Sequence, residues 1–286
     1  MPRPPVSTIA DQLFYSTVYI EATGSAGSST GTGFLVQYDI DGSPAPILIT
    51  NKHVLAGATS VTFTMPRGQN GEPISAGTRI TVTDFSEVTW HGHPRDDVDI
   101  AAMKFAPIVG EMVLADAPPF YRAFGSELLL SNVAAQELDS IEFVTFIGYP
   151  SGLFDQASML PIARRGQTAT PIFNDYNQLP AFLIDASVFP GSSGSPVLIF
   201  DRGMYATRDG ETQVGSRIML AGVVAAVHTR TVMGEIRITS NAYATFDDMI
   251  DLGIVFKSSA IQETVDILFA SEGLASPTAP APETLA

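Results

Sequence analysis

Cysteine is absent from the 286 residues, which excludes disulfides, a thiol nucleophile and thiolate zinc ligation. Histidine is scarce: His53, His91, His93 and His228 are the four imidazoles on which any such chemistry can draw. Cations are few, with 15 Lys and Arg against 30 Asp and Glu, a net charge of −15. That balance, with no Lys/Arg run, opposes binding to phosphate backbones or anionic membranes. The longest apolar run, MLAGVVAAV at 219–227, falls far short of the roughly 20 residues that cross a bilayer. The N-terminal MPRPPVSTIADQLFY also lacks the apolar segment of a secretory signal. The expectation is a soluble, cytosolic protein with no nucleic-acid or membrane partner, no metal and no other cofactor.

What remains is globular in composition, 45% hydrophobic and 16% charged, and long enough for one large or two small domains. Helical periodicity is scarce. Short segments rich in Val, Ile, Thr and Phe recur between Gly, Pro, Asp and Ser clusters, the pattern of an all-β sandwich or barrel. Strands are expected near 16–22, 31–39, 45–50, 60–65, 78–85 and 98–105, and again near 141–149, 165–173, 181–188, 195–200 and 217–230. The stretch 117–140 loses alternation and reads as a connection between two β modules, 14–116 and 141–257, after an N-terminal extension over 1–13. A helix is expected over 258–273, with Ser259 as N-cap, Gln262 completing a capping box, and Ile261, Val265 and Leu268 on one face. The Pro/Ala-rich 274–286 reads as a disordered tail.

Chemistry-bearing residues stand out against this background. His53 follows an apolar strand in ILITNKHVL. His91 and His93 in TWHGHPRDD have no convincing third ligand and read as a solvated loop. Asp96 and Asp97 read as loop charges, whereas Asp99 is flanked by Val98 and Ile100 and needs a partner if buried; a histidine N–H would suit. In FPGSSGSPVL, Ser193 lies in a frame of Gly191 and Gly194 that permits a tight turn, so the N–H groups of Gly191 and Ser193 can converge on one point.

The chain order His53, Asp99, Ser193, with steps of 46 and 94 residues, resembles that of the trypsin/chymotrypsin-fold serine proteases. TNKHV, DIA at 99–101 and GSSGSP carry the resemblance. GTGFLV at 31–36 is similar to the strand preceding the histidine in bacterial members, and DASVFPGSSGSPV to the HtrA-like and glutamyl-endopeptidase branches. The resemblance covers roughly residues 14 to 270. It implies two six-stranded antiparallel β-barrels and a serine endopeptidase acting on polypeptides, with His53, Asp99 and Ser193 as triad and Gly191 and Ser193 N–H groups as oxyanion hole.

Two departures shape the expectation. Where digestive members carry an aspartate that pairs with a newly freed N-terminal amine, this chain has Ser192, so activity without N-terminal trimming is expected. A flip of the Pro190–Gly191 peptide would withdraw one oxyanion donor and close the site. The first substrate pocket is expected to involve Ser187, which carries no charge to select Arg or Lys, together with Ala226, Val227 and His228. A small apolar pocket and, through His228, an acidic one both stay open, the apolar one slightly favoured. No room for a PDZ domain is expected after Gly273. The rival to an enzyme is a catalytically silent protease fold serving as a binding or scaffold module; any regulatory partner is unidentified.

Overall fold

The computed structural model describes residues 5–275 except 26, 41 and 237–241, and their side chains except those of 87 and 226–250. The first half forms β1 (Thr17–Gly24), β2 (Gly27–Ile40), β3 (Ser43–Thr50), β4 (Ala58–Gln69), β5 (Glu72–Thr83), β6 (His91–Gly92), β7 (Ala101–Lys104) and β8 (Phe124–Gly125). Seven of these run in the order β5-β4-β1-β2-β3-β7-β6, and β8 pairs with β2 off that path. The second half contributes β9 (Phe143–Gly148), β10 (Ile162–Thr168), β11 (Ala181–Asp185) and β12 (Pro196–Asp201). After the small hairpin of β13 (Met204–Ala206) and β14 (Thr212–Val214) come β15 (Arg217–Ile236) and β16 (Ala242–Lys257). Helices are α1 (Ile9–Leu13), α2 (Lys52–Leu55), α3 (Ala106–Leu114), α4 (Asn132–Ala135) and α5 (Ser258–Ser271). Among the described residues no helix is long and apolar enough to cross a membrane.

The second half closes into a six-stranded barrel, β10-β11-β16-β15-β12-β9. The expected first six-stranded barrel is instead an eight-stranded sheet that hydrogen bonds do not close. Its last strand on the path, β6, has two residues and runs into His93-Pro94, where the missing proline N–H cannot extend a ladder.

Strand periodicity explains the layering. In β1 and β4 the alternate residues Val18, Ile20, Ala22, Val61, Phe63 and Met65 are buried in one core. Strands β2 and β3 are buried on both faces. Leu35 pairs with Leu48 toward that same core, while Phe34 with Ile49 and Val36 with Ile47 face a second core. This second core also holds Ile147, Leu198, Leu220 and Val223 of the barrel and Ile261, Val265 and Leu268 of α5. The barrel interior is a third, built on Val144, Phe146, Phe182, Ile184, Val197 and Val224.

Helix α5 buries the expected stripe, but its start differs. The N-cap is Lys257, without a side-chain cap. Gln262 does not complete a capping box, because its amide donates to Asp266 and accepts from the Tyr38 hydroxyl. Gly273, at φ +71°, takes the left-handed conformation that closes a helix. The connection over 117–140 contains β8 and α4.

Candidate active site

His53 reaches its place because β3 ends at Thr50 and the chain turns at Asn51 into the single turn of α2. Its backbone N–H donates to Asp99 Oδ1 at 3.0 Å, and its Nδ1 lies 2.5 Å from Asp99 Oδ2. With a carboxylate as acceptor, Nδ1 carries the proton and Nε2 keeps its lone pair. Asp99 is held from behind: the Asn51 amide donates to its backbone carbonyl at 2.6 Å, and Val98 and Ile100 on either side are fully buried. The imidazole is 51% exposed, so a ligand can reach Nε2. A cleft of about 210 Å³ lined by Ser28, Ser29, His53, Ala56 and Ala58, among others, opens beside it.

The serine turn is bound to β2. Gly31 packs against the Val54 side chain, beside His53, and the next residue, Thr32, donates its N–H to the Ser193 carbonyl at 2.8 Å. Of the three serines, Ser192 and Ser195 are fully buried and Ser193 is half-buried. Gly191 and Gly194 have φ of +83° and +85°. A Cβ on Gly194 would lie 1.7 Å from the Thr32 carbonyl oxygen, so the turn requires glycine there twice over.

Several polar groups of the turn are taken, whereas the buried Ser195 hydroxyl has no partner among the described residues. The Pro190 carbonyl accepts from Ser151 N–H at 2.5 Å, Ser192 N–H donates to Phe189 O at 3.0 Å, and Gly194 N–H donates to Val224 O at 2.8 Å. The Gly191 carbonyl accepts from the Thr32 hydroxyl at 2.9 Å. The Arg164 guanidinium donates to Ser187 O at 2.8 Å and to Ser192 Oγ at 2.6 Å, its carbon 4.4 Å from the centre of the Phe146 ring. By contrast, the N–H groups of Gly191 and Ser193 have no acceptor among the described residues. The Ser193 hydroxyl donates to the Ala225 carbonyl at 3.2 Å; among the described residues it makes no hydrogen bond to His53.

The structure therefore joins His53 to Asp99, and ties Ser193 to β2 through Thr32 with its hydroxyl turned to β15. Ser187 is exposed, and its carbonyl rests on a cation. Ala226, Val227 and His228 lie in β15, where Ala226 pairs with Ile254 and Val227 with Gly253, but their side chains are outside the described set. His93 is not solvated as expected: it is 3% exposed, accepts from Arg95 N–H through Nδ1 at 3.2 Å, and bonds Glu263 of α5 through Nε2 at 3.0 Å. No group of three or more His, Asp or Glu among the described residues could hold a metal ion. Arg164, Thr32, Ser151 and Asn51 escaped the sequence reading. They touch the turn or Asp99 through hydrogen bonds that no motif announces, although Thr32 lies within the GTGFLV segment.

The family model described as a trypsin-like peptidase domain matches residues 31–204, a span that contains His53, Asp99 and Ser193. No curated protein matches the chain at a significant level. Among solved structures, an HtrA-type protease AlgW with tripeptide is similar at TM-score 0.50 and 15% identity, over 95% of this chain and 65% of that one. This chain thus spans slightly under two thirds of that protease. The active form of the Rv3671c protease from M. tuberculosis is similar at TM-score 0.48 and 16% identity, over 99% of this chain and 95% of that one. A serine endoprotease from Yersinia pestis gives 0.46 and 13%, over 96% and 69%. At these identities the structural likeness concerns the fold; the domain match covers more than half of the chain and concerns its ancestry. The chain belongs to the trypsin-like peptidase family.

Proposed function

We propose that this chain hydrolyses peptide bonds through an acyl-enzyme formed on Ser193, with His53 as general base and acid and Asp99 as its orienting anion. Rotation about the Ser193 Cα–Cβ bond releases the hydroxyl from Ala225 and presents it to Nε2 of His53. The oxygen attacks the substrate carbonyl as its proton passes to Nε2, and the carbonyl electron pair moves onto the oxygen. That oxyanion is received by the N–H groups of Gly191 and Ser193. The imidazolium, stabilised by Asp99, then gives its proton to the leaving amine as the C–N bond breaks. Water repeats the sequence on the ester and frees Ser193.

One observation carries this reading: on a turn pinned through the Pro190, Gly191 and Ser193 carbonyls and the Ser192 hydroxyl, the N–H groups of Gly191 and Ser193 have no acceptor among the described residues. Losing one such donor costs about 3–4 kcal/mol in the transition state, so a chain that leaves two unpaired beside a half-exposed serine has kept them for a ligand. The same turn is held by Arg164, an internal cation, which supports activity of the full-length chain without N-terminal cleavage.

A fluorophosphonate probe tests both points. The full-length chain with Met1 retained should label at Ser193, and Ser193→Ala should abolish labelling and lower peptide turnover by a factor on the order of a million. The resting bond from Ser193 to Ala225 favours the rival reading, a silent module; an unlabelled wild type of intact fold would establish that rival. Labelling that begins after N-terminal cleavage would overturn the self-assembled site while leaving the triad in place.

A further inference from the structure

We infer that Thr32 is a positioning residue whose hydroxyl holds the oxyanion turn in its open form, a role that rests on the proposed peptidase activity. Thr32 is fully buried and meets the turn twice. Its N–H donates to Ser193 O at 2.8 Å, and its hydroxyl donates to Gly191 O at 2.9 Å. The same hydroxyl oxygen accepts the N–H of Tyr149 at 3.1 Å, so donor and acceptor capacity are both engaged. The Thr32 carbonyl is fixed in turn by the Thr50 hydroxyl at 2.7 Å, one residue before Asn51, the residue that holds the Asp99 carbonyl.

The consequence follows from peptide geometry. Among the described residues no peptide is cis, and in a trans peptide the C=O and N–H point in opposite directions. Holding Gly191 O on one side fixes the 191–192 peptide, and holding Ser193 O fixes the 193–194 peptide, so Thr32 clamps the units on either side of Ser192 and Ser193. The 190–191 peptide is clamped by Ser151 N–H on Pro190 O, which directs Gly191 N–H the opposite way. Ser151 lies in the turn that begins at Tyr149, the residue Thr32 also binds. One hydroxyl thereby ties together the two segments that set the direction of Gly191 N–H. Gly191 itself imposes little, since glycine tolerates either peptide orientation. Space for the hydroxyl is reserved: a Cβ on Gly148 would come within 2.6 Å of Thr32 Oγ1.

The test compares Thr32→Val, which keeps the shape and removes the hydroxyl, with Thr32→Ser, which keeps the hydroxyl. For a peptide substrate, well below the melting temperature, Thr32→Val should lower kcat by about 10- to 100-fold with KM within about twofold. This is the signature of a donor that acts in the transition state. Its affinity for a peptide aldehyde, which forms the tetrahedral adduct, should fall in parallel with kcat. Thr32→Ser should stay within about threefold of wild type. A Thr32→Val enzyme with wild-type kcat, or Val and Ser variants equally impaired, would overturn the inference. If the valine variant does not fold, Thr32→Ala read against Thr32→Ser makes the same comparison. A wild type that neither labels nor turns over would instead sink the peptidase reading, so the two failures are distinguishable.

Discussion

Arg164 is the residue whose chemistry the sequence concealed most completely. Its head lies among a carbonyl, a hydroxyl and a ring face, and among the described residues it binds no carboxylate and its buried Nε has no partner. Burial pushes the guanidinium down to about 10, still well above neutral pH, so it stays charged. A charge held in this way costs stability rather than adding it, and its evident return is the fixed position of Ser192. Replacing Arg164 with Met keeps an apolar stem on Phe146 and removes both donors. The expected result is a fall in kcat/KM of about 10- to 100-fold, or about 1.4–2.7 kcal/mol, with a melting temperature equal to or above wild type. Unchanged kcat/KM would mean that the turn stands without its cation. Arg164→Lys adds a pH signature. An amine's ordinary pKa is about 10.4, and the same burial favours its neutral form. Activity of the lysine variant should therefore fall as pH rises above about 8, where wild type holds. His53, Asp99 and Ser193 stood out as candidates because imidazole is rare here and each lies beside a strand with glycine or apolar neighbours. Arg164 and Thr32 act through hydrogen bonds to backbone and hydroxyl partners distant in sequence, and leave no pattern along the chain.

At the scale of elements, close approach decides where substitution is tolerated. Gly148 ends β9 against Ser195 and Thr32, and an added Cβ would lie 2.0 Å from Ser195 Oγ and 2.6 Å from Thr32 Oγ1. Both neighbours are fully buried, so neither can step aside. Gly148→Ala should destabilise by about 1–3 kcal/mol and reduce activity through Thr32. In α3 the space around a Cβ on Gly110 is open, and Gly110→Ala should raise stability by up to about 1 kcal/mol. Chemical denaturation of the pair gives the contrast; equal midpoints would refute the packing argument. The same physics explains what could be read beforehand. Strands with alternating or doubly buried patterns, such as β1 to β4, were visible. Strand β16 was not, because Asp247, Asp248 and Asp251 interrupt its apolar pattern and Asp251 has φ +56°. Helix α3 was hidden by Pro107 and Gly110, which leave Ile108 and Met112 as its buried pair.

For the molecule as a whole, the residues of the proposed site are contributed by both halves, so the proposed catalysis depends on what keeps them together. Their shared core draws Phe34, Val36, Ile47 and Ile49 from the open sheet and Ile147, Leu198, Leu220 and Val223 from the barrel, with α5 completing it. Helix α5 also reaches the first half through Gln262 to Tyr38, Glu263 to His93 and Glu272 to Lys104. At its start, Ser258 donates to Leu220 O of the barrel. The buried histidine is thus a strap: it joins α5 to the loop that leads into Asp99, and the sheet remains open while its back is covered. Leu268, 3% exposed in this shared core, is the position that tests the coupling. Leu268→Ala should destabilise by about 2–5 kcal/mol, lowering the melting temperature by roughly 2–4 °C per kcal/mol for a chain of this order of size. Far-ultraviolet circular dichroism and loss of fluorophosphonate labelling should move together, in one transition. Two separate transitions in the variant, or labelling lost well before the secondary structure melts, would show that the halves hold each other through some contact other than this core.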